Sequence, residues 1–373
     1  MAEEDVKLED SNLAGIGSDM DKQLRQAAAD AEPEFDGAGS EPGLEIWRIE
    51  KFEPVKVRDE KEFGIFYKGD CYIVLNTYQK DGSDALLWDL HYWIGADSTQ
   101  DEQGSVAYFC VNLDDKLGTK PVQYREVMGS ESAKFMSFFD KYMLVDGGVA
   151  SGFTSPEPET YETKLFHVTG KGTDVKVNQE PLALESLNRS DVFILDCGMT
   201  LFQWNSVGCG AFERMAGCGV LERISALRNH EPEEHNIDGE EIMDRDDFWE
   251  KMGCDKPDLN ELPSAPVAEE VEEGASRRLY KISDENGEMV CSLVQEVEEG
   301  ALDSGLTDEE AIMCAVVGDK HAIFYLGKHS SQSERFYLNM FTGKLLNQCG
   351  LPEFAPTTMA SKESAKDEWA ALF

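Results

Sequence analysis

Three times along the 373 residues the same order of apolar and polar positions returns. Each copy opens on a run that reads as a strand: Ile46-Trp47-Arg48-Ile49, Leu165-Phe166-His167-Val168 and Leu279-Tyr280-Lys281-Ile282. A second apolar run follows, led by an acid: Asp70 before Cys71–Leu75, Asp191 before Val192–Leu195, and Glu310 before Ala311–Val316. An aromatic strand comes next, at His91–Gly95, Leu201–Asn205 and Ile323–Gly327. A polar stretch then leads to a glutamate and a long helix, with Glu102, Glu213 and Glu334 in corresponding places. Each copy is expected to close on a short acidic and aromatic helix, over 131–142, 246–249 and 363–373. In the first long helix, predicted over about 101–117, Val106, Phe109, Cys110, Leu113 and Leu117 recur at three- and four-residue spacing, so one stripe must face the domain's own sheet.

The leading acids recur at intervals of about 120 residues, too long for a solenoid repeat and right for a domain. The order of elements predicts an α+β fold of three domains, each a central mixed sheet between a long helix and a short one. The expected divisions are an N-terminal extension at 1–42, domains at 43–155, 159–256 and 275–373, and an acidic, Pro-containing linker at 257–274. A short helical pattern surrounds Met20 and Leu24 in the extension.

Charge changes the picture. Thirty-four basic against 74 acidic residues give a net −40. Such a chain is poorly suited to neutralising phosphates, which argues against nucleic acid and against a basic membrane patch. Carboxylate oxygens suit hard cations, above all Ca²⁺. No run approaches the length of a membrane-spanning helix, and Met1–Asp5 has no signal-peptide character, so a cytoplasmic location is expected. The nine cysteines are scattered, with Cys71, Cys197 and Cys314 in apolar runs, the pattern of core thiols in a reducing compartment. No Ser/His/Asp or Cys/His set has a recognisable local frame, so the expectation is a protein that is not an enzyme. His230 and His235 fall in a polar segment read as a solvated loop.

Several motifs resemble the gelsolin/villin superfamily, in particular its three-domain severin and fragmin type. They are Gly43–Glu50, Leu90–Gly95, Gln100-Asp101-Glu102, Val122–Glu126 and Gly147–Phe153. The resemblance covers about residues 43–373 and is strongest in the first repeat. It implies gelsolin-like domains, Ca²⁺-regulated severing and barbed-end capping of actin filaments, and a monomer located with the actin cytoskeleton.

The candidate calcium positions join the repeat pattern to that resemblance. Asp70 and Glu102 form one carboxylate pair, and Asp191 and Glu213 the second. A structural role for the helix glutamates, complementing the helix dipole, is the competing reading. The resemblance adds the carbonyls of Gly69 and Val149 to the first set, and that of Ser190 with Glu269 to the second. Glu310 and Glu334 occupy the third, where alternative registers remain open. Asp114, with the carbonyls of Thr119 and Pro121, matches a position sharing a cation with actin. Actin contacts are implied for Gln100, Asp101, Ser105, Tyr108, Phe109 and Asp114. Arg214 either contacts the filament or pairs with a neighbouring acid. The basic phosphoinositide segments of the family are depleted at Lys141–Asp146 and Lys171–Asp174, which predicts weak inhibition by such lipids. A second reading of the same residues is an acidic Ca²⁺-binding module that binds or caps actin without severing.

Overall fold

The computed structural model describes residues 32–80, 84–148, 161–171, 174–264, 276–283, 290–298, 301–303, 312–318, 321–327, 332–353, 355–361, 369–370 and 372–373. Two bodies emerge from the contacts, one of residues 1–57, 70–135 and 271–373, the other of 58–69 and 136–270. The α+β class predicted from the sequence is the class observed.

In the first body, β1 (Gly43–Glu50), β2 (Glu53–Lys56), β4 (Cys71–Gln79), β5 (Leu86–Ile94) and β6 (Val122–Val127) come from the first repeat. The third repeat supplies β13 (Arg277–Ser283), β14 (Val290–Val297), β15 (Ile312–Val317), β16 (His321–Leu326) and β17 (Thr357–Ser361). All ten form one sheet, in the order β14-β13-β15-β16-β17-β6-β5-β4-β1-β2. The join is an antiparallel pairing of β17 with β6, with Thr358 opposite Tyr124. Central strands covered on both faces read as continuous apolar runs, and Asp89–Ile94 in β5 are all buried accordingly.

The long helix of the first repeat, α1, spans Gln100–Lys116. Its predicted stripe packs as expected: Val106, Cys110 and Leu113 lie in one core with Trp47, Ile73 and Tyr92, flanked by Phe109 and Leu117. Phe35 and Ala38 fill the same core, so the last residues of the expected N-terminal extension belong to this body. The pattern around Met20 and Leu24 lies outside the described residues.

The second body holds a seven-stranded sheet, β12-β11-β10-β8-β9-β7-β3. Its strands are β3 (Ile65–Tyr67), β7 (Tyr142–Val145), β8 (Lys164–Lys171), β9 (Asp174–Glu180), β10 (Val192–Asp196), β11 (Thr200–Asn205) and β12 (Glu233–Asp238). The first closing helix is shorter than predicted: α2 covers only Ala133–Met136. Tyr142, expected as the last residue of that helix, instead opens the wholly buried strand β7, Tyr142–Val145, paired parallel to β3 and β9. Four successive buried apolar residues suit a covered strand better than one helix face. The segment holding His235 is no loop either but β12, parallel to β11. The helices of this body are α3 (Ala211–Leu227), against β8, β10 and β11, and the predicted short helix α4 (Asp246–Met252). The stretch expected to begin an acidic linker packs here too, with Leu262 buried and the Arg189 amide donating to the Pro263 carbonyl. The long helix of the third repeat, α5 (Gln332–Gln348), belongs to the first body. The final closing helix falls mostly outside the described residues.

Candidate functional site

The hairpin joining β1 and β2 pairs Glu50 with Glu53, leaving only Lys51 and Phe52 to turn the chain. Both have positive φ, 51° and 67°. A two-residue turn of this hand is normally built from Asn-Gly or Asp-Gly, and a bulky side chain there is strained. Phe52 is nonetheless 52% exposed. It lines one side of an open groove of about 570 Å³ whose other walls are Gln100, Asp101, Gly104, Ser105, Tyr108 and Phe109. The groove thus collects the five residues singled out on the first two and a half turns of α1. The sequence reading missed Phe52; the available signal was an aromatic residue where a turn wants Asn or Gly.

The start of α1 is fixed by reciprocal capping. Thr99 Oγ1 accepts from the Glu102 amide, while Glu102 Oε2 accepts from the Thr99 amide and hydroxyl, each at 2.8 Å. Ser105 Oγ donates to the Asp101 carbonyl at 2.9 Å. Tyr108 sits edge-to-face on Phe109, which contacts Phe35 in turn, so the groove floor continues into the core.

A second buried stripe runs along α1, through Ala107, Val111, Asp114 and Asp115. The third repeat supplies its cover, because α5 packs alongside α1. Tyr92 donates to Asn339 Oδ1, and Asn339 Nδ2 to Gln123 Oε1, a polar seam within the joined sheet and helices. Asp114 is only 3% exposed. Its carbonyl accepts from the Thr119 amide at 2.9 Å, Thr119 having a φ of 56°. Pro121 is buried beyond it.

The carboxylate positions divide by repeat. Burial is the main cause that pushes the Cys71 thiol up to about 12, and Glu102 and Asp70 add to it, so both carboxylates act on one point. The Asp70 carbonyl accepts from the Gly95 amide. Gly69, in the second body, donates to the Gly147 carbonyl at 2.8 Å, and a Cβ there would come within 2.9 Å of that oxygen. Gly147 and Gly148 therefore back directly onto Gly69; Val149 lies outside the described residues.

In the second body, Asp191 Oδ2 accepts from His167 Nε2 and Asn188 Nδ2, both at 2.7 Å. Burial alone would raise the Asp191 carboxyl, but these hydrogen bonds outweigh it and hold it below the usual carboxylate value. Glu213 is buried; Oε2 accepts from the Gly210 amide at 2.7 Å and Oε1 from Gly170 on β8 at 3.3 Å. Asp191 and Glu213 thus both anchor to β8, three residues apart. The Ser206 and Gly208 amides close the loop onto Asp191 and Arg189, around Ser190. Two carboxylates held close to one strand, one of them with its ionised form favoured, fit a hard divalent cation in donor chemistry. Among the described residues no cluster of three ligating side chains is preformed. Glu269 and Glu310 lie outside the described residues, as does the side chain of Glu334. Arg214 is paired: its guanidinium reaches Asp238 at 3.4 Å and donates to Cys209 Sγ at 3.1 Å.

Comparison with known proteins agrees with this architecture. The Gelsolin repeat family matches residues 54–136 and 173–244. Gelsolin-like protein 1 of Lumbricus terrestris is 37% identical over 324 residues, covering 86% of this chain and 84% of that protein. Severin of Echinococcus granulosus is 33% identical over 372 residues, covering 97% and 96%. The chain belongs to the gelsolin/villin superfamily.

Proposed function

We propose that this chain binds actin, severs its filaments and caps their barbed ends under Ca²⁺ control. The observation that carries the reading is the groove of Phe52 and α1: an exposed aromatic in a strained turn opposite a rigid, capped helix. Strain kept where it contributes no packing points to a surface selected for contact. Membership of the superfamily supports actin as the partner. With a net −40, this chain gains little from long-range attraction to an acidic partner, so an apolar groove has to supply the affinity.

Calcium supplies positive charge between carboxylates that otherwise repel. Asp70 with Glu102, and Asp191 with Glu213, would hold it, with carbonyls of Gly69, Val149 and Ser190 completing the oxygen sets. The covered stripe of α1 is the regulated element: a partner reaches Asp114 only after α5 withdraws. Calcium drives that withdrawal to the extent that it binds the open arrangement better. Titrating fluorescently labelled monomeric actin with the full chain tests the reading. Tight binding in calcium and weak binding in chelator is expected; equal binding in both would remove the calcium control, and none in either would remove actin.

A further inference from the structure

Cys291, Cys314 and Cys349 are far apart in sequence but meet in the third repeat. Cys314 and Cys349 are wholly buried in one core, and Cys291, on the edge strand β14, packs against it while partly exposed. The three thiols are close enough for each of the outer two to perturb the other's titration, and Cys314 perturbs that of Cys349. The backbone holds the outer pair in place. The Cys291 amide donates to Gln348 Oε1 at 2.9 Å, and its Sγ lies 3.8 Å from the Leu345 carbonyl. The Cys349 amide donates to that same carbonyl at 3.0 Å. Tyr280 Oη pins the Cys349 carbonyl at 3.1 Å. Leu351 and Gly350 amides close the end of α5 behind it, Gly350 with a φ of 79°.

We propose that Cys291 and Cys349 are a peroxide-driven disulfide site that staples β14 to the end of α5. Cys291 is the entry point, because it alone of the three is open to solvent. Its thiolate attacks hydrogen peroxide; the O–O bond breaks, giving a sulfenic acid and water. The Cys349 sulfur then displaces the hydroxyl, forming the S–S bond and a second water. In sum, two thiols are oxidised and one peroxide is reduced to two waters. Cys314 lies behind Cys349, at the closed end of the cluster. The Cys349 thiol and burial push the Cys291 thiol up; Cys291 lowers the Cys349 thiol, but Cys314 and burial outweigh it and push that thiol up too, so the first step is slow and needs sustained peroxide. The product closes a loop of nearly sixty residues, which removes chain entropy from the unfolded state.

The test is peptide mapping of the full chain after peroxide treatment and alkylation of remaining thiols, without reductant. A Cys291–Cys349 linked peptide, reversed by dithiothreitol, is expected. In parallel, thermal unfolding of the oxidised chain should shift up by on the order of 5 °C. Cys314→Ser should retain the link and Cys291→Ser should abolish both the link and the shift. Cys291 accumulating as sulfinic acid with Cys349 still alkylated would overturn the proposal, as would a link between any other pair. The mapping of the unmodified chain decides even where a variant does not fold.

Discussion

The first and second repeats build the same long helix and then use it differently. Both α1 and α3 begin with a glutamate, Glu102 or Glu213, bonded back to the amide at the helix start. α1 has two buried stripes, one against its own sheet and one beside α5. α3 instead leaves Phe212 and Met215 exposed, the latter at 67%. α3 is also anchored at its far end, where Arg228 makes a two-pronged pair with buried Asp196 and donates to the Gly198 carbonyl and Tyr161. One scaffold therefore yields a helix with a covered stripe beside an open groove, and a helix that exposes apolar side chains over its first two turns. On the proposed reading, the covered stripe of the first is the element that calcium uncovers.

The largest expected effect breaks the anchored helix. Arg228→Ala leaves the Asp196 carboxylate buried without its guanidinium, which should cost about 3–5 kcal/mol in denaturant unfolding of the second body. Replacing both by leucine should cost far less, because no uncompensated charge remains. A single substitution costing under about 1 kcal/mol would show that the pair contributes nothing.

Next is Phe52→Gly, which separates stability from contact. Glycine accepts a φ of 67° freely, so the melting temperature should hold or rise, the relieved strain being about 1 kcal/mol. Loss of a buried aromatic anchor at the interface should weaken binding of monomeric actin by roughly 10- to 100-fold. Unchanged actin binding would remove Phe52 from the contact surface.

Glu102→Gln and Glu213→Gln sharpen the comparison of the two helix starts. Each keeps the cap shape and loses a charge, so calorimetry should record the loss or weakening of one calcium site per variant. An unaltered isotherm would leave these glutamates as caps alone.

The smallest effect is a pH dependence in chelator. The folded Asp191 carboxyl lies below its ordinary value of 3.8. Its contribution is therefore present above about pH 4 and is lost as pH falls through the folded value. Asp191→Asn should lower stability by about 1 kcal/mol at pH 7 and by progressively less below pH 4. A deficit constant across that range would exclude the charge as the cause.

Much of this arrangement is legible in the sequence, and the reasons differ by residue. The stripe Val106, Cys110, Leu113 reports a helix on a sheet because that contact lies within one repeat. The second stripe is hidden by its composition, since Asn112, Asp114 and Asp115 look solvated until another helix buries them. The join of β17 to β6 depends on residues some 230 positions apart, which no local pattern encodes. The strand Tyr142–Val145 is hard to see because the acidic, helix-like residues before it run directly into Tyr142. Phe52 was passed over because aromatic residues ordinarily signal strand or core.

The central claim is that the open aromatic groove on α1 contacts actin, and that severing follows when calcium uncovers the buried stripe beside it on the same helix. Surface-attached, fluorescently labelled filaments imaged with the full chain, first in chelator and then in micromolar calcium, test it most directly. The account predicts intact filaments in chelator, and breaks along their length with arrested barbed-end growth after calcium. Filaments that stop growing but never break in calcium, or that break equally in chelator, would contradict it.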